Sequence, residues 1–302
     1  MMMSYEEFKK KVKEEAEKEL GKGVRVEFQT TQKMNNVSRE EMRVYAEDRS
    51  ILPVLPLKQI YTSYVSSQID ITGVIQLIRL QMDDCPEYIT KVVEDIINRQ
   101  VSDQIFMRVI NYDKNEERLK NMPHKRVFDL AIVYYIGSGC EGENSYTISV
   151  DNNLMNFLGL TPEELEKTSY HNSMRDQEPM LRSIKEMLME NLWDLTIEEA
   201  DIEEKDVRLY VLTNKEKCLG AVCMFYEGVL KGFAEQIQDD FYILPSSIHE
   251  LMLVPKAGNE DWEGLRQMVR EINDSVIDEA EVLSGEVYYY NRKENEIFIC
   301  SK

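Results

Sequence analysis

The sequence predicts an α+β fold of mixed antiparallel sheets packed with helices in two lobes. Three observations carry this expectation. Helix starts are marked by capping signals followed by apolar residues at helical spacing. Short runs of period two read as strands, some joined by turn signals. Helices and strands mix without the steady alternation that a parallel α/β sheet requires. The 302 residues suffice for a sizeable core, and the expected lobes cover residues 4–115 and 116–302.

Along the chain, Ser4-Tyr5-Glu6-Glu7 reads as a capping box, with Phe8, Val12, Ala16 and Leu20 at helical spacing before Gly21 and Gly23. VRVEFQT alternates as a strand, KMNN is a turn and MRVYAED returns. Pro53 and Pro56 confine ILPVLP to a sheet edge or an extended connection. Helices are expected over about 57–67, 70–82 and 86–100, with Pro86 at a first helical position. IFMRVINY reads as a strand, 115–122 as a short helix stopped by Pro123, and the β-branched run VFDLAIVYYI as a central strand containing Asp129. GSGCEGEN is a loop, and YTISV is the returning partner. Thr161 followed by Pro162, Glu163 and Glu164 starts a helix, and another is expected over 180–191 before the acidic connector IEEADIEEKD. VRLYVLT is a strand. Residues 219–238 read as a long helix weakened by Gly220, Gly228 and Gly232. FYILP and ELMLVP are strands around the polar step SSIH. Residues 262–277 form an amphipathic helix with Leu265, Met268, Val269 and Ile272 on one face, and VYYYN with EIFIC makes a closing hairpin.

The net charge of −20 is unevenly spread: −2 over residues 1–100, −8 over 101–200 and −10 over 201–302. No segment after the first helix supplies the basic stripe that phosphate contacts need, so direct nucleic-acid binding is not expected. The lysines at 9, 10, 11 and 13 share their helix with Glu14, Glu15, Glu17 and Glu19 and read as a solvated face. Acidity serves solubility, although an acidic mimic of DNA is a third-ranked alternative. The five cysteines lie at wide spacings without a CxxC pair, and no metal set appears. With no apolar leader and no membrane-length apolar run, a cytoplasmic setting with reduced thiols is the expectation.

YEEFKKKV, PHKRVFDLAIVYY, LYVLTN followed by GAVCMFYEGVLKGFAE, and FYILPSSIHELMLVP give the chain a resemblance. From about residue 4 to the end, it resembles an uncharacterised family of Gram-positive gut bacteria, a domain of unknown function. The last stretch is the most specific. The resemblance implies that Asn214, His249 and Glu250 sit in motifs, and it carries no activity.

The most site-like segment is Pro245-Ser246-Ser247-Ile248-His249-Glu250, four polar side chains between two apolar strands. His249 beside Glu250 suits a general base and Ser247 a nucleophile, with Ser246 as a binding group. The bland reading has Ser247 and Glu250 capping a turn and His249 bonded to a carbonyl. HELML departs from HExxH at its fifth position, which removes the zinc-protease geometry. Thr213 and Asn214 precede the expected helix near Leu219, where an anion could meet free N–H groups beside Lys215 and Lys217; an ordinary N-cap is the alternative. His124 and Arg126 precede the central strand, and Asp129 within it needs a partner among them or the backbone. Tyr170-His171-Asn172-Ser173 reads as a helix exit. Met180, Met187 and Met189 read as core filling, and of Tyr288, Tyr289 and Tyr290 two are expected buried and one exposed.

These readings favour a non-catalytic binding or regulatory protein for an unidentified protein or small-molecule ligand, without cofactor or membrane contact. The alternative is a hydrolase or transferase using His249 as general base, oriented by Glu250 or Asp129.

Overall fold

The computed structural model describes residues 2–21, 23–46, 54–83, 87–137, 146–187, 209–256 and 261–300. The fold is α+β, with antiparallel sheets throughout. It forms two compact units, Met1–Asp95 and Ile96–Lys302. Among the described residues, no helix is long and apolar enough to cross a membrane.

The first unit opens with α1 (Tyr5–Glu19), whose capping box forms as expected: Ser4 Oγ accepts from Glu7 N, and Glu7 reaches back to Ser4 N. Its positions Phe8, Val12 and Ala16 are fully buried, as the four-residue spacing demands. β1 (Arg25–Gln32) and β2 (Ser38–Tyr45) pair along their whole length. Asn35 and Asn36 make the turn at positive φ, which asparagine tolerates. β3 (Val54–Pro56) pairs with the far side of β2 and ends the sheet, a position compatible with its proline. α2 (Leu57–Val65) and α3 (Ile71–Asp83) contribute Leu57, Ile60, Val74, Ile75 and Ile78 to the same core. Each such side chain contributes about 1.5–3 kcal/mol on burial. The division between units falls within α4 (Glu87–Ile97); Pro86 lies outside the described residues.

The second unit holds two sheets. In the first, β6 (Leu130–Gly137) is central. It pairs with β4 (Ile105–Asn111) on one side, and with β5 (His124–Val127) and then β7 (Thr147–Ser149) on the other. A short helix, α5 (Glu116–Leu119), lies between β4 and β5. β4, expected in the first lobe, thus builds the sheet of the second unit. α6 (Asn152–Leu158) and α7 (Pro162–Asp176) follow, the latter capped by Thr161 and Glu164. The second sheet contains β8 (Pro179–Ser183), β9 (Tyr210–Asn214), β10 (Phe241–Leu244), β11 (Leu251–Pro255), β12 (Tyr288–Asn291) and β13 (Glu296–Ile299). Their order is β13-β12-β10-β11-β9-β8. α8 (Val229–Ile237) and α9 (Trp262–Ser275) complete the unit.

One face of β6 (Leu130, Ile132, Tyr134, Ile136) shares a core with Leu212, Phe241, Ile243, Leu251 and Tyr288 of the second sheet. The other side of that sheet, with Tyr242, Leu244 and Val254, packs against Val269, Leu265 and Met268 of α9. Tyr288 and Tyr290 are buried and Tyr289 half-buried, close to the expected two-in, one-out pattern.

Several expectations change. Residues 180–183 are strand rather than helix, because β8 pairs with β9 from Pro179↔Asn214 to Ser183↔Tyr210. A helical turn begins only after Ser183, which exchanges hydrogen bonds with Glu186. Ladder pairing overrides the helix propensity of Met180 and Leu181. The expected long helix over 219–238 is a 3₁₀ segment, Gly220–Phe225, followed by α8, with Gly228 at φ 82° breaking them apart. Tyr170, His171, Asn172 and Ser173 lie inside α7 rather than at its exit. Asp129 lies in the two-residue turn between β5 and β6, not within the strand. Residues 138–145 and the connector near 197–206 lie outside the described residues, as does Met189.

Asp129 has partners that the sequence did not suggest. It accepts from Ser284 Oγ at 2.6 Å and from Tyr288 Oη at 2.5 Å, tying the turn of the first sheet to β12 of the second. Burial, and then the Asp129 charge, holds the Tyr288 phenol far above its ordinary pKa, so it stays a donor. Two hydrogen bonds to a carboxylate contribute about 1.5–3 kcal/mol each. Asp129→Ala is expected to lower the unfolding free energy by roughly 3 kcal/mol in urea denaturation; a loss below about 0.5 kcal/mol would show that the strut is energetically idle.

Candidate functional site

After β10, residues 245–250 thread between two other pieces of chain. On one side Leu283 N donates to Ser246 O and Ser284 N to Pro245 O, while Ile248 N donates to Glu281 O. On the other side Gly220 N donates to His249 O at 2.9 Å and Ala221 N to Ile248 O at 3.2 Å. The segment is therefore an interior connection, and both Ser246 and Ser247 are buried. Glu250 is exposed.

The polar side chains complete this clamp. Ser247 Oγ accepts from His249 N at 3.1 Å, and Thr213 Oγ1 donates to His249 O at 2.8 Å. His249 Nδ1 accepts from Leu219 N at 3.2 Å, which places the neutral ring's proton on Nε2. Nε2 lies 3.6 Å from Glu281 Oε1, and the ring is 30% exposed. Asn214 is buried and spans its own turn, donating to Cys218 O at 2.7 Å and accepting from Cys218 N at 3.0 Å.

The N–H groups that an anion would need at the start of the 3₁₀ segment are thus already engaged. Leu219 N serves His249, and Gly220 N and Ala221 N serve the carbonyls of His249 and Ile248. Lys215, exposed, pairs with Glu178. Leu219 itself sits at φ 54°, turning the chain into the clamp. Gly220 permits the close approach: a Cβ there would meet Thr213 Oγ1 at 2.3 Å, Asn214 N at 2.5 Å and His249 O at 2.8 Å.

The structure gathers Asn214, Ser246, Ser247 and His249 into one clamp. Asp129 connects to it through Ser284, whose N–H holds Pro245 O. His124 stands apart on the exposed β5, its Nδ1 bonded to Met122 O. Cys218 is disulfide-bonded, which corrects the expectation of reduced thiols throughout; Cys223 and Cys300 are free. Burial pushes the Cys223 thiol up to about 12 and leaves it unreactive at neutral pH.

Sequence reasoning passed over four residues beside the clamp. Phe106 and Tyr135, on the face of the first sheet away from the shared core, pack with Leu219, Cys218 and Ile248. Gln177, the residue ending α7, donates from Nε2 to Tyr135 Oη at 2.5 Å. Arg108 places its guanidinium 5.8 Å from the Tyr135 ring centroid. Burial drives the Tyr135 phenol up to about 12, with Gln177 and Arg108 opposing. The available signal was Arg108 itself, a charge inside the apolar run IFMRVINY. Among the described residues, no group of three or more His, Cys, Asp or Glu side chains is placed to hold a metal ion.

Fold and site define an antiparallel α+β protein whose polar loop is pinned inside the second unit. The chain belongs to DUF5688, a family of unknown function, which matches residues 5–292. No curated protein and no solved structure matches it.

Gly220→Ala is expected to destabilise the protein by roughly 1–3 kcal/mol, the range for forced overpacking. Gly232→Ala, in α8 with nothing within 4 Å of the added methyl, should be neutral or stabilising by about 0.5–1 kcal/mol. Paired thermal and urea denaturation of the two variants checks the contrast; equal effects would mean that the clamp tolerates a side chain.

Proposed function

We propose that this chain is a non-catalytic binding or regulatory protein, acting on a protein or small-molecule partner. The observation that supports the reading is the hydrogen bond from Leu219 N to His249 Nδ1. A neutral imidazole has one lone pair for proton abstraction, and here a backbone N–H occupies it. The Ser247 hydroxyl accepts from His249 N, and among the described residues no base takes its proton to activate it as a nucleophile. The two carboxylates considered as orienters stand elsewhere: Glu250 is exposed, and Asp129 holds Ser284 and Tyr288. The alternative hydrolase or transferase reading therefore requires breaking the clamp before His249 can act. The Cys218 disulfide weighs against a cytoplasmic setting.

His249→Gln separates the two readings. Wild type and variant are assayed with p-nitrophenyl acetate and p-nitrophenyl phosphate, with folding checked by circular dichroism. The expected outcome is background turnover in both proteins and a lower melting temperature in the variant. A wild-type turnover that falls about a hundredfold or more in a folded variant, the size of a general-base contribution, would establish the catalytic alternative.

A further inference from the structure

Among the described residues, Arg108 is a buried cation without a counter-ion. It lies mid-strand in β4 and is only 8% exposed. Its Nη2 donates to Ser149 Oγ at 2.9 Å, and its Nε is buried with no hydrogen-bond partner. Among the described residues, no carboxylate pairs with it. The titratable groups acting on it are Tyr135 and a second cation, Arg118 on α5. Tyr135 gives no negative charge at neutral pH, because burial keeps its phenol protonated up to about 12. Burial also drives Arg108 down to about 10, so the guanidinium remains charged at pH 7. A buried charge is retained only where pairing and hydrogen bonds offset its lost hydration.

The strand register adds to this picture. Val133 pairs with Arg108 on one side and with His124 on the other, so their side chains lie on one face of the sheet. Ala131 likewise sets Arg126 on that face. A chain of net charge −20 thus gathers Arg108, His124 and Arg126 on one sheet face, with Arg118 near Arg108. Arg126 is committed to the Tyr112 ring at 3.9 Å and to Phe128 O. Arg108 and Ser149 keep hydrogen-bonding capacity: Nε–H is unused, and the Ser149 hydroxyl accepts from Arg108 and retains its own proton to donate.

We propose that this sheet face binds a small oxyanion, a carboxylate or phosphate group, held by Arg108 Nε and Ser149 Oγ with Arg118 alongside. The planar guanidinium fork suits a two-oxygen partner, and the anion supplies a counter-charge that the described residues do not. Ser149 and Arg118 are half-buried. This inference goes beyond the proposed function and stands whether or not the protein is an enzyme.

The test uses the full chain, titrated separately with inorganic phosphate and with acetate at constant ionic strength held by chloride. Binding is read from the ¹⁵N-edited Nε–Hε resonance of Arg108 and from the melting temperature. The expected result is a saturable shift of that resonance with a matching rise in melting temperature, for phosphate, acetate or both. The arm that saturates identifies the oxyanion. Ser149→Ala and Arg118→Gln, at half-buried positions, should each weaken binding about tenfold, the scale of one charge-assisted contact. Arg108→Lys, which keeps the charge without the fork, should abolish saturation if it folds. The inference is overturned if neither anion saturates, if chloride reproduces the response, or if the Ser149 and Arg118 variants bind like wild type.

Discussion

β6 is buried on both faces, and its alternation sorts everything around it. Leu130, Ile132, Tyr134 and Ile136 turn toward the second sheet and the core that the two sheets share. Tyr135, one step out of phase, turns the other way and meets Phe106, Leu219 and Ile248. A one-residue slip of this strand would exchange the two sets. Full-length pairing with β4, and with β5 and β7 along the opposite edge, holds the register. The polar loop can be interior only because this second face offers it an apolar floor.

Burial of that loop dictates how its polar groups are used. Interior N–H and C=O groups need partners, and here they come from segments distant in the chain, 219–221 and 281–284. The side chains follow the same rule. Thr213, Asn214, Ser247 and His249 spend their hydrogen bonds on backbone groups within the clamp. Asp129 is held by two hydroxyls. Arg108 is the contrast: a guanidinium under the same pressure to be satisfied, with Ser149 as its hydrogen-bond partner and, among the described residues, a protonated phenol and a second cation acting on it.

Much of the fold was legible because its signals are local. The boxes at Ser4 and Thr161, the edge position of Pro56 and the closing tyrosine hairpin depend on residues within a few positions of one another. The structure departs from the local signals where a distant segment decides. Residues 180–183 carry good helix formers, yet β9 recruits them as a strand. The run from Leu219 is apolar enough for a helix, yet Gly220 is drawn against Thr213 and His249 and the helix cannot form there. The candidate site divides the same way. The polar step at 246–249 was visible as a break in an apolar pattern, whereas its partners, some thirty residues away on either side, were not.

By itself, the sequence determined the α+β class, the capped helices and the hairpins, because capping geometry and side-chain period act over one or two turns of chain. Tertiary structure alone decided that His249 gives its lone pair to Leu219, that Asp129 binds Ser284 and Tyr288, and that Arg108 is buried with no carboxylate partner among the described residues. Each of those outcomes depends on which remote segment covers a polar group and removes it from water. That pairing is set by sheet order and packing, and no local pattern encodes it.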